Sequence, residues 1–262
     1  GGLPMNYETI TAETREGMAV ITMNRPDVMN ALNTQMRAEI THAVSAAGQE
    51  ARVVVLTGTG SAFCSGQDLG DRANMGNINL ERTLRDEYIP MLNAIVDCPV
   101  PVIAAVNGTA AGAGANLALI CDVTIATESA SFIQAFSRIG LIPDAGGTWA
   151  LPRTIGLQRA MGAALFAEKI SARQAADWGM IWEVAADDAF EEVWKARAAH
   201  LATGPSEAFK RIKQVMRASS GNSLEEQLLL EGQLQGQCGK SRDFMEGVMA
   251  FLQKRPAQFE GR

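Results

Sequence analysis

Residues 102–119 read VIAAVNGTAAGAGANLAL, and residues 53–70 read VVVLTGTGSAFCSGQDLG. Each stretch opens on an uninterrupted apolar run rich in β-branched residues, as a strand buried on both faces requires, and each run gives way to glycines. In the first stretch Leu117 and Leu119 continue as a helix. A strand, a glycine-rich turn and a helix, met twice, predict an α/β chain with parallel strands. Glycines allow dihedrals and close approaches that a side chain would block, so two such turns side by side can aim backbone N–H groups into one cavity. Ser65 and Ala113 are the expected donors. Two convergent amides suit a carbonyl oxygen that turns negative during reaction. Glycine turns are also common where nothing binds, so a purely structural role stays open on this pattern alone.

Upstream, Tyr7 to Thr14 and Met18 to Met23 flank Gly17 as a hairpin, and Asn33 can cap a helix carrying Met36, Ile40, Val44 and Ala47. A helical stretch runs from Leu80 to Val96, and Val123 to Ala126 reads as another strand. Past Gly156 the pattern is helical: 157–166, 171–178, 186–201, 205–218, 224–237 and 242–254, with one strand at Met180 to Val184. This predicts an α/β core over 1–195 and a helical region over 196–262.

The 262 residues are 47% hydrophobic and 20% charged, with net charge −6. That composition supports a large core and disfavours nucleic acid as a partner. No apolar run is long enough to span a membrane. Cys64, Cys98, Cys121 and Cys238 are widely spaced and read as reduced thiols of a cytoplasmic protein. With only His42 and His200, no metal site is expected. Gly112 and Gly114 begin a dinucleotide fingerprint that fails at Leu117, and Gly239, Lys240 and Ser241 lack the glycine a phosphate loop needs at Leu234.

Residues 140–148, GLIPDAGGT, place one carboxylate in an apolar loop. Burial without a partner raises a carboxyl pKa, which brings Asp144 toward the range where a proton acceptor also releases its proton. A turn or cap role for an Asp after Pro143 is the alternative. Together the three elements point to proton removal beside a carbonyl, with the resulting oxyanion held by amides.

Asn24, Arg25 and Pro26 with Asn30, Ala31 and Leu32; Ala62 to Leu69; Ala105 to Gly108 with Gly112 to Gly114; Gly140 to Thr148; and Glu246 to Arg255 together carry a family pattern. The chain resembles the crotonase (enoyl-CoA hydratase/isomerase) superfamily along nearly its whole length. The resemblance implies a crotonase-like ββα spiral core, a helical C-terminal trimerisation region and an acyl-CoA thioester substrate. It implies no cofactor apart from the CoA carried by the substrate. An oxyanion hole is expected from Ser65 and Ala113. Substrate contacts are expected from Ala62, Cys64, Gly66, Gln67, Asp68, Leu69, Gly112, Asn116, Phe136 and Ile142.

The departures bear on the chemistry. Enoyl-CoA hydratases carry two glutamates that activate water, and the matching positions here are Asn116 and Phe136, neither of which accepts a proton. Asp144 falls where some isomerases and a dehalogenase carry a working aspartate. The stretches 66–69, 135–149 and 178–182 are similar to the isomerase branch that converts ring-1,2-epoxyphenylacetyl-CoA to oxepin-CoA in bacterial phenylacetate degradation. The expectation is an acyl-CoA isomerase with Asp144 as proton shuttle. Hydration, dehalogenation with Asp144 as nucleophile, and a non-catalytic binding protein are the alternatives. Leu228, Leu229, Leu230, Phe244, Val248, Phe251 and Leu252 exceed what one core-facing stripe needs. With the resemblance they imply a trimer or a pair of trimers, in which Phe251 and Lys254 reach the CoA bound by a neighbouring chain.

Overall fold

A computed structural model describes residues 6–70 and 78–262. The chain opens with an antiparallel hairpin, β1 (Ile10–Arg15) and β2 (Met18–Met23), turned at Glu16 and Gly17, both at positive φ. Asn33 caps α1 (Thr34–Glu50) by accepting from the Met36 N–H, as its position before the apolar periodicity predicts. There follow β3 (Val53–Gly58), β4 (Ala62–Cys64), α2 (Leu80–Thr83), a π turn over Leu84–Tyr88 and α3 (Ile89–Val96). These three segments abut, and every junction residue keeps right-handed helical dihedrals, so the helix expected over 80–96 is continuous with a π turn in its middle. Next come β5 (Val102–Val106), β6 (Thr109–Ala111), α4 (Ala113–Ile120), β7 (Val123–Thr127) and β8 (Ser131–Ile133). The core closes with α5 (Gly147–Phe166), β9 (Ile170–Ser171), α6 (Ala172–Asp177), β10 (Glu183–Ala185) and α7 (Phe190–Ala202). Helix α5 begins ten residues earlier than expected and bends at Gly156, whose φ of 81° no helix contains.

Two sheets result. The larger has strand order β1-β2-β3-β5-β7-β10, parallel except for the hairpin, and the smaller has order β4-β6-β8-β9. Each long strand of the repeat enters the first sheet, turns, and gives a short strand to the second. The turn between β5 and β6 shows why. A Cβ on Gly108 would collide with the Ser61 carbonyl oxygen, so only glycine passes there. Asn107 ties the same corner, accepting from the Gly58 N–H at 3.0 Å and donating to the carbonyls of Gly60 and Ala62. The smaller sheet was not expected from the sequence; strands of two or three residues carry no period to read.

Val54, Leu56, Ala104 and Val106 point into a core shared with α1, α3 and α4, while Val53, Val55, Ile103, Ala105 and Ile125 point the other way. Phe190, Trp194, Ala198 and Ala202 of α7 cover that second face. A sheet buried on both faces is the reason its strands read as continuous apolar runs. Helix α7 runs unbroken through residue 195. The division expected between 195 and 196 therefore has no break in the backbone, and the extension is set off only after Thr203.

The extension comprises α8 (Ser206–Ala218), α9 (Leu224–Cys238) and α10 (Arg242–Gln253). It is fastened to the core by charge. Asp122 meets Lys213 Nζ and Arg217 Nη2, each at 2.8 Å, and Lys213 also donates to the carbonyls of Ile95 and Val100. No helix among the described residues is long and apolar enough to cross a membrane.

Candidate active site

The turn after β4 is zipped to the segment before α1. Leu32 N–H donates to Gly66 O at 2.7 Å, Asp68 N–H donates to Leu32 O at 2.9 Å, and Arg25 pairs with the Asp68 carboxylate at 2.9 Å. Met29 and Asn30 both take positive φ, 52° and 58°, and this turn aims the Met29 carbonyl at the Ser65 N–H, which donates to it at 3.0 Å. Gly66 N–H is spent on the Cys64 thiol. Of the four amides from Ser65 to Asp68, that of Gln67 is the one with no acceptor among the described residues. The Ser65 amide, the expected donor, is thus already engaged, and the Gln67 amide two residues on is open.

The second turn lies against the first. A Cβ on Gly66 would stand 3.0 Å from Ala111 O and 3.6 Å from Ala113 N, and a Cβ on Gly114 would collide with the Cys64 carbonyl. Glycine at both positions lets the two turns touch. Ala113 is the first residue of α4, where an N–H has no partner within the helix, and the helix dipole adds positive character there. Gly112 precedes it at φ 55°, with the buried Phe136 ring at 3.8 Å from where its Cβ would be. The Gln67 and Ala113 amides thus belong to adjoining turns.

One helical turn past Ala113, the buried Asn116 holds the third element. Its Nδ2 donates to the Asp144 carbonyl at 2.8 Å and to Gln134 Oε1 at 3.1 Å, and its Oδ1 accepts from Gln134 Nε2 at 2.8 Å. Gly147 leaves room for that side chain, since a Cβ there would collide with Asn116 Nδ2. The amide of Asn116, expected as a substrate contact, is thus engaged by Gln134 and by the Asp144 loop. The Asp144 carboxyl is partly enclosed, and its Oδ1 is buried without a hydrogen-bond partner. Burial pushes its pKa up to about 6, opposed by its own backbone N–H. Nearby Tyr88 is held protonated mainly by burial, with the charge at Asp144 adding to the effect.

Other expected contacts fall differently. Ala62 and Cys64 are fully enclosed, and burial pushes the Cys64 thiol up to about 12, which leaves it inert. Asp68 is spent on Arg25 and on the Gly70 N–H. Leu69 and Ile142 stand exposed, Ile142 at 76%, beside the two loops. Phe251 (83% exposed) and Lys254 lie at the end of α10, on the extension rather than among these loops. Sequence reasoning missed the roles of Met29, Gln134 and Tyr88. For Gln134 a signal was present: one amide in the apolar run SFIQAF. Among the described residues no cluster of three or more His, Cys, Asp or Glu side chains could hold a metal ion.

The family model described as enoyl-CoA hydratase/isomerase matches residues 13–262. A protein of Rhodobacter capsulatus named "Probable enoyl-CoA hydratase" is 62% identical over 258 residues, covering 98% of this chain and 100% of that protein. The 1,2-epoxyphenylacetyl-CoA isomerase of Escherichia coli is 43% identical over 264 residues, covering 97% of this chain and 99% of that one. Among solved structures, an enoyl-CoA hydratase from Bacillus anthracis superposes with a TM-score of 0.90 at 32% identity, covering 97% of this chain and 100% of its own. Two joined glycine turns, a partly enclosed carboxylate and matches that span nearly the whole chain lead to one statement: the chain belongs to the enoyl-CoA hydratase/isomerase family.

Proposed function

We propose that the chain is an acyl-CoA isomerase working by a one-carboxylate proton relay. The observation that carries this reading is Asp144, a partly enclosed carboxylate with one buried, unpartnered oxygen, tied by its backbone to the helix that begins at the Ala113 amide. Asp144 takes a proton from the carbon between the thioester carbonyl and the substrate double bond. The C–H electron pair moves toward the carbonyl oxygen, which becomes anionic and is held by the Gln67 and Ala113 N–H groups. The same carboxyl returns the proton to the far carbon of the former double bond, the carbonyl re-forms, and the double bond shifts from position 3 to position 2. A carboxyl near pH 6 suits both halves of this exchange. The cycle needs no cofactor beyond the CoA of the substrate.

Asn116 and Phe136 supply no second carboxylate to activate water, which favours isomerisation over hydration. The purified chain is expected to convert a 3-enoyl-CoA to the 2-enoyl isomer at least about 10²-fold faster than it hydrates crotonyl-CoA, the scale of one missing general base. Hydration at an equal or higher rate would overturn the reading, and halide release from a halobenzoyl-CoA would instead favour a nucleophilic Asp144. Identity to the Escherichia coli isomerase makes ring-1,2-epoxyphenylacetyl-CoA, giving oxepin-CoA, the first substrate to try. The exposed Leu229, Phe251 and Leu252 support a homotrimer or a pair of trimers, with Phe251 and Lys254 covering the CoA held by the next chain. Light scattering is expected to return a multiple of three chains; a monomer would remove that part of the proposal.

A further inference from the structure

We propose that Asn116 and Gln134 are positioning residues, a buried amide pair that sets where the Asp144 carboxyl stands relative to the Ala113 amide. The inference rests on the isomerase reading and extends it to two side chains outside the reacting shell.

The pair is enclosed, Asn116 at 1% and Gln134 at 2% exposure. Both Nδ2 protons of Asn116 are used, one on Gln134 Oε1 and one on Asp144 O, and its Oδ1 accepts from Gln134 Nε2. Reversing the Asn116 amide would face donor with donor and acceptor with acceptor, so only one orientation satisfies all three bonds. Asn116 sits on α4, one turn from Ala113, and Gln134 directly follows β8. The Asp144 loop is thereby braced against the helix that carries the oxyanion donor and against the smaller sheet. Two leucines of similar volume would fill the same space without burying amides, but could not hold the Asp144 carbonyl. The pair also does not ionise, so it brings no charge near a carboxyl that depends on its surroundings.

The test compares Asn116→Leu, the double variant Asn116→Leu/Gln134→Leu, and Asp144→Asn on the same 3-enoyl-CoA, with melting temperature measured alongside. Asn116→Leu strands the Gln134 amide and is expected to lose both stability and rate. The double variant removes both amides and is expected to melt well above Asn116→Leu, while kcat stays about 10- to 100-fold below the parent and KM changes less than about threefold, the scale of a displaced reacting group. Its acid limb in kcat/KM is expected to move below pH 6 as water reaches the loosened carboxyl. Among the described residues, the neighbouring Tyr88 and Cys64 stay protonated across that range, so the limb reports Asp144. A double variant with parental kcat and an unmoved limb, beside an inactive Asp144→Asn, would overturn the positioning role and leave the base standing. An active Asp144→Asn would overturn the isomerase reading itself, and with it the positioning role. If the double variant does not fold, Gln134→Met reads the same quantities. It leaves the Asn116 bond to Asp144 in place without its brace, and at least a fivefold loss of kcat with a moved limb is expected. Parental values would overturn the proposal.

Discussion

Asp144→Asn is expected to lower kcat for enoyl isomerisation by about 10³-fold while leaving thioester binding within a few-fold of the parent, because an amide of the same shape cannot carry the transferred proton. The parent's kcat/KM is expected to rise tenfold per pH unit below about 6 and level off above it, as the carboxylate form fills. The variant should show no such limb. Stability should change in the opposite direction. The folded Asp144 titrates above its ordinary value, so its charge opposes folding; the penalty is complete above about pH 6 and gone below the usual carboxylate range near 3.8. Removing that charge is expected to stabilise the fold at pH 8 by about 1 kcal/mol, discounted for the exposed part of the carboxyl. Single-turnover kinetics and thermal melts at pH 5 and pH 8 check all three statements. Turnover within a few-fold of the parent would remove Asp144 from the chemistry.

The largest loss of stability is expected from Asp122→Ala. Its carboxylate accepts from Lys213, Arg217 and the Val102 N–H, and Lys213 is only 7% exposed. The alanine variant leaves two cations facing core carbonyls with no counter-charge, a change that costs about 3–5 kcal/mol when one partner of a buried pair is removed. A fall in melting temperature of roughly 10 °C should follow for a chain of this size. Asp122→Asn, which keeps the acceptor oxygen, should recover part of it. A shift under about 2 °C for the alanine variant would show that the extension is held by its apolar contacts instead.

Val53 to Leu56 and Val102 to Val106 were legible because a strand covered on both faces leaves an unbroken apolar run. Asp144 was legible because a charge inside an apolar loop must be either paired or poised. The second sheet was not, since Ala62 to Cys64 and Thr109 to Ala111 are too short to show alternation. Nor could the sequence show that the Ser65 amide is engaged while that of Gln67 is open. That difference depends on the Met29 carbonyl, 36 residues away, turned by two left-handed residues onto one amide and not the other. The commitment of Asn116 was hidden in the same way, because its partners Gln134 and Asp144 are brought to it only by the fold.

Arg52, which leads into β3, donates from Nη2 to the carbonyls of Gly204 and, 207 residues later in the chain, Phe259. During synthesis the segment through β10 and α7 leaves the ribosome long before those last residues do. The two sheets can therefore close while the guanidinium still faces water, and the extension locks on only once Phe259 has emerged. For this chain the order of manufacture runs from strand to clasp.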